Sequence, residues 1–183
     1  DATGVLKRLM DDLDPQVRIE SILNTARLGR DDFLPVIRKR LTHCNSAELE
    51  ACTYAIGVLN DSSCIKNLKK LAASSANNVK IAAILSLNSL GDRRFLSSLE
   101  TLALNHNPHA ITALGSFSGT EETLAKLALS KDLQIRLNAA LALLELGDAR
   151  SIPGIEEILI SDARDLAFYP LPSIGRTIAC WKA

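Results

Sequence analysis

Asp132-Leu133-Gln134-Ile135-Arg136 opens a stretch that Ala139-Ala140-Leu141-Ala142-Leu143-Leu144 continues and Leu146-Gly147-Asp148 closes. It reads as one whole helix with both of its end signals. Asp132 carries the short acceptor side chain that satisfies free N–H groups at a helix start. The Ala/Leu run lets neighbouring helices come close, and Gly147 is the residue type that most easily adopts the left-handed backbone ending a helix. The stretch recurs. Gly29, Asn60, Gly91, Gly119 and Gly147 stand 31, 31, 28 and 28 residues apart, and each is read as closing a leucine-rich helical segment. About five repetitions in 183 residues describe units that bury their apolar faces only against one another.

Aligned on these markers, Leu34, Ile65, Leu96, Leu124 and Ile152 fall five residues on, and Ile37, Leu68, Leu99, Leu127 and Ile155 eight residues on. A step of three keeps them on one face, so a second helix with one buried stripe is expected after each marker. Asp14-Pro15-Gln16-Val17-Arg18 copies the helix start at Asp132, with Pro15 in the opening turn where its missing N–H costs nothing. Asn78-Val79-Lys80 reads as a third copy. Ala47-Glu48-Leu49-Glu50 and the shorter Asn107-Pro108-His109 open two degenerate units. No period-two alternation occurs, so no strands are expected.

Val17-Arg18 with Leu28-Gly29, Val79-Lys80 with Leu90-Gly91-Asp92, and Ile135-Arg136 with Leu146-Gly147-Asp148 together resemble the short HEAT-like repeats of the phycobilisome-lyase type. The resemblance covers roughly residues 14–161. It implies an all-α fold: a right-handed superhelix, or α-solenoid, of about five HEAT-like helix pairs with a C-terminal cap. Within a single domain of residues 1–183, residues 1–13 read as the second helix of a truncated repeat, 14–161 as five helix pairs and 162–183 as a Pro-bounded capping tail. The chain is thus expected to begin inside a longer array. In such repeats Arg18, Lys80 and Arg136 near the helix starts, and Asp31, Asp61, Asp92 and Asp148 in the turns, form a ladder of ion pairs and hydrogen bonds between units.

Little in the chain points to catalysis. Catalysis needs one unrepeated constellation, whereas these charges repeat as the fold repeats. His43, His106 and His109 stand at no metal-ligand spacing from a Cys or carboxylate, and Pro108 argues for a loop between His106 and His109. The His-Glu pairs of HEAT-like di-iron hydroxylases, a phosphate loop and a Gly-x-Ser-x-Gly elbow are missing. No catalytic residue, metal or cofactor is expected. With 21 basic and 21 acidic side chains, the net charge of zero implies no pull toward nucleic acid. No apolar run approaches a membrane span. Cys44, Cys52, Cys64 and Cys180 show no Cys-x-x-Cys spacing; they fit small buried thiols in a reducing cytoplasm, with Cys52 and Cys64 the two placed to approach each other.

What remains is surface. Six, nine and ten residues after the markers stand Pro35, Arg38 and Lys39; Lys66, Lys69 and Lys70; Ser97, Glu100 and Thr101; Ala125, Ala128 and Leu129; then Pro153, Glu156 and Glu157. In HEAT-like arrays these positions line the concave side, and here they run from basic to acidic. The expected function is a non-enzymatic scaffold, cytoplasmic and bacterial, that binds an extended protein partner along that side. Arg38, Lys39, Lys66, Lys69, Lys70, Glu156 and Glu157 are the candidate contacts. The alternatives are an accessory subunit of a lyase-like enzyme and, behind it, a HEAT-like nucleic-acid-binding module. The tail departs from the repeat: Ala163-Arg164 falls 28 residues after Ile135-Arg136, but Pro170 and Pro172 then break the helix. Phe168, Tyr169 and Trp181 make the tail a cap or a docking segment.

Overall fold

The computed structural model describes residues 2–42 and 44–160. The capping tail read at 162–183 and His43 lie outside the described residues. Among those described, every regular element is helical, and they form two compact units meeting in sequence at Arg93 and Arg94.

The first unit holds α1 (Ala2–Met10), α2 (Pro15–Arg27), α3 (Leu34–Arg40), α4 (Ser46–Val58), α5 (Ile65–Leu71) and α6 (Asn77–Ser89). Helix α2 packs on α4 and α4 on α6; α1, α3 and α5 pack on α2, α4 and α6 respectively. Helix α4 is enclosed, and its residues from Glu50 to Gly57 are all buried. Contact on several sides explains why it is apolar nearly all round rather than striped. Close approach is built into the sequence at Gly57, where an added Cβ would sit 2.5 Å from Ser86 Oγ and 2.8 Å from Ser86 Cα. The bare backbone there lets Ser86 donate to the Thr53 carbonyl at 2.8 Å.

The second unit holds α7 (Leu96–Leu104), α8 (Pro108–Leu114), α9 (Glu121–Leu127), α10 (Leu133–Glu145) and α11 (Ile152–Ile160). Helix α10 is its centre, in contact with α8, α9 and α11, and α7 packs on α8.

The end signals act as their chemistry requires. Asp14 accepts from the Gln16 N–H, Asp132 from those of Gln134 and Ile135, Asn45 from Glu48 and Asn107 from Ala110. The copy read at Asn78-Val79-Lys80 keeps this register, opening at Asn77 as α2 opens at Pro15, but its capping position is Ala76, which offers no acceptor side chain. All five markers have positive φ, from 57° at Asn60 to 95° at Gly119. At Gly29, Asn60, Gly91 and Gly147 the next residue's N–H reaches back to the carbonyl five residues earlier, the bond that closes a left-handed helix end.

Gly119 is different. Helix α8 has already ended at Leu114, and the Gly119 N–H is held by Glu121. The residue that closes a helix in this way instead is His106, at φ 62°, with Asn107 N–H on the Leu102 carbonyl. In the unit around Gly119, α9 begins two residues after its marker, whereas α3, α5, α7 and α11 begin five after theirs, so three residues of the connecting turn are missing there. Its register therefore shifts by three. Leu124 is fully buried there as Ile37, Leu68 and Leu99 are eight residues after their markers, and Glu122, Ala125 and Lys126 take the outward positions assigned to Ala125, Ala128 and Leu129. In the other units the position five residues on is only half-buried or, at Ile152, exposed. In the units marked by Gly29 and Asn60 the buried stripe joins the residue eight after the marker to the one four after it, Ile37 to Phe33 and Leu68 to Cys64.

Candidate functional site

Seven candidate contacts separate into two kinds. Arg38, on α3, directs Nε and Nη2 at the two carboxylate oxygens of Asp61, at 2.7 and 2.9 Å. Lys69, on α5, reaches Asp92 at 3.4 Å. Both cations stand nine residues after a marker and both carboxylates directly after the next one, so the two pairs are one contact repeated. Asp61 is buried, and it also accepts from Ser63 N–H, Ser63 Oγ and Cys64 Sγ. Burial pushes its carboxyl up, but these hydrogen bonds, Arg38 foremost, hold it at about 2.

Glu157 belongs to the same class. Arg136 Nε and Nη2 grip it at 2.9 and 2.7 Å, while Arg136 Nη1 donates to the Ser130 carbonyl. Hydrogen bonding to Arg136 holds the Glu157 carboxyl below its ordinary value. Arg18 is built alike: Nη1 is on the carbonyls of Asp12 and Leu13, and Nε and Nη2 are on Glu48. Glu48 is buried and shared with Arg40, and these two cations outweigh the burial that would otherwise raise it. Asp148 breaks the pattern, being held at about 2 by Arg150 of its own turn, which also bonds Glu122.

Lys39, Lys66, Lys70 and Glu156 form the other kind. They are exposed and make no ion pair among the described residues. Lys66 and Lys70 share one face of α5 at i, i+4 spacing. Lys39 and Lys70 both stand ten residues after a marker. Lys39 also borders a groove of about 460 Å³ with Asp11, Pro35, Val36 and Arg40. In the second unit a groove of about 530 Å³ has Ala125, Ala128, Leu129, Pro153 and Gly154 on its floor and the Arg136–Glu157 and Arg150–Glu122 pairs on its walls. Ala125, Ala128, Leu129, Pro153 and Glu157, which the alignment on Gly119 and Gly147 assigns to the concave side, all border it.

Among the described residues no group of three His, Cys, Asp or Glu side chains stands where it could hold a metal ion. His106 lies in the left-handed turn, and His109 in the first turn of α8, where partial burial lowers its pKa. Cys44, Cys52 and Cys64 are free thiols. The thiol neighbouring Cys52 is Cys44 rather than Cys64, whose Sγ is on Asp61. No described helix is long and apolar enough to cross a membrane.

Fold and site together define a helical repeat protein whose recurring charges tie helix pair to helix pair. Residues 135–161, α10 and α11 nearly in full, match the family model for the PBS lyase HEAT-like repeat, a repeat that commonly mediates protein interactions. No curated protein matches the chain.

Proposed function

We propose that this chain is a non-enzymatic, cytoplasmic scaffold of about five HEAT-like helix pairs wound as a right-handed α-solenoid, and that the first unit binds an extended acidic segment of a protein partner. The observation that carries this is the division of the basic residues. Arg38 and Lys69 are spent on Asp61 and Asp92, whereas Lys39, Lys66 and Lys70 keep their charge in solvent. Lys39 and Lys70 repeat at the spacing of successive helix pairs, roughly 10 Å. Acidic side chains about three residues apart on an extended strand, at some 3.3 Å per residue, match that spacing.

The test is a titration with a labelled Glu-rich peptide at rising salt. Binding that weakens steeply with ionic strength supports the reading, and no binding at low salt removes it.

A second reading, an accessory subunit of a lyase-like enzyme, is favoured by the groove over Ala125 and Leu129, whose volume suits a small ligand. Retention of a chromophore-like molecule by the purified chain would support that reading over the first.

A further inference from the structure

The last described helix pair presents apolar positions that its counterparts cover. Leu141 stands nine residues after its capping residue, as do Leu23, Tyr54 and Leu85, which are 8%, 1% and 3% exposed. Leu141 itself is half-buried. Three positions on, Leu144 is 52% exposed where α2 has the buried Ala26 and α4 the buried Gly57. In α4 this flank is the one on which α6 packs, through Ser86 and Ser89. Helix α11 repeats the imbalance: Ile155 is half-buried where Ile37 and Leu68 are wholly buried, and Leu159 is 72% exposed at the position of the buried Ala72. The outward flank of α2 is built differently. It carries Glu20 and Asn24 where the covered helices carry Ala51 and Ala82, and Ala55 and Ser86. A polar flank can face water; an apolar one of this extent calls for a cover.

We propose that residues 161–183 of this chain dock on the α10–α11 flank and bury Leu141, Leu144 and Leu159. These 23 residues directly follow α11 and contain Leu166, Phe168, Tyr169, Leu171, Ile178 and Trp181. Their reach, up to about 75 Å extended, far exceeds the roughly 20 Å length of α10. Tethering makes docking intramolecular, at an effective concentration that a second copy in dilute solution does not reach. The phase of the repeat agrees, since Ala163-Arg164 falls where the next helix start is due.

Maleimide labelling of Leu144→Cys in the full chain, with modified peptides identified by mass, tests this. Labelling at least tenfold slower than at Lys66→Cys is expected, and replacing Phe168, Tyr169 and Trp181 together by Ser should remove the difference. Equal rates in the unaltered tail overturn the proposal, as does protection that survives the triple replacement or disappears on dilution, the mark of a second copy. Trp181, the only tryptophan, gives a readout without a flank cysteine. Its emission should be blue-shifted and shielded from acrylamide, and should move to the solvent value in Leu159→Asp at unchanged helicity. Solvent-like emission in the native chain overturns the docking.

Discussion

Arg38 closes both oxygens of Asp61 in a two-pronged grip across 23 residues of sequence, joining α3 to the turn that opens α5. Asp61 is 4% exposed in its side chain and Arg38 42%, so the carboxylate depends on this partner more than the guanidinium does. Arg38→Ala leaves a buried carboxylate without its cation and should lower unfolding stability by about 1–3 kcal/mol. Arg38→Lys keeps the charge but loses the fork, and should recover part of the loss. Urea unfolding of the two variants measures both.

Acid should release the same contact. The folded Asp61 carboxyl sits at about 2, below its ordinary 3.8. Between these values the unfolded chain binds more protons, so the contribution is whole above about pH 4 and is lost as pH falls toward 2. Asp61→Asn removes it. The stability difference between wild type and Asp61→Asn should therefore narrow as pH falls through that window; a difference constant from pH 6 to 2 would contradict the assignment.

Left-handed positions should obey the backbone rather than the repeat. Gly91→Ala, at φ 83°, should cost about 1–2 kcal/mol. His106→Gly, at φ 62°, should stabilise by roughly 0.5–1 kcal/mol, although nothing in the repeat spacing marks His106. Thermal unfolding followed by circular dichroism checks both.

Much of the fold was legible because these positions admit few residue types. A helix end with positive φ selects Gly or Asn, and a helix start selects Asp or Asn, so Gly29, Asn60, Gly91, Gly147, Asp14 and Asp132 announce themselves. Gly119 misled for the same reason: it has positive φ without ending a helix, and aligning on it hid the loss of a short turn and the three-residue shift of α9. The candidate site was less readable. Arg38 and Lys66 look alike in sequence, and only the packing of α3 against the next turn shows that Arg38 is occupied by Asp61. Cys44, just before the start of α4, neighbours Cys52, whereas Cys64 lies past the far end of that helix with its Sγ on Asp61, and the spacing of the cysteines does not show this.

Close approach at Gly57 should tolerate no added carbon. In Gly57→Ala the new Cβ meets Ser86 backbone and side chain together, and α4 and α6 must separate. A loss of about 1–3 kcal/mol is expected. Gly4, which has open space around it, should accept alanine without loss and serves as the control in the same unfolding assay.

The most direct measurement is the affinity of the first unit's surface for an acidic peptide in Lys39→Glu/Lys66→Glu/Lys70→Glu, compared with wild type over a range of salt. Binding weakened at least tenfold, a flattened salt dependence and unchanged helicity are the predicted result. Affinity equal to wild type in the folded triple variant would contradict a partner held by these three lysines.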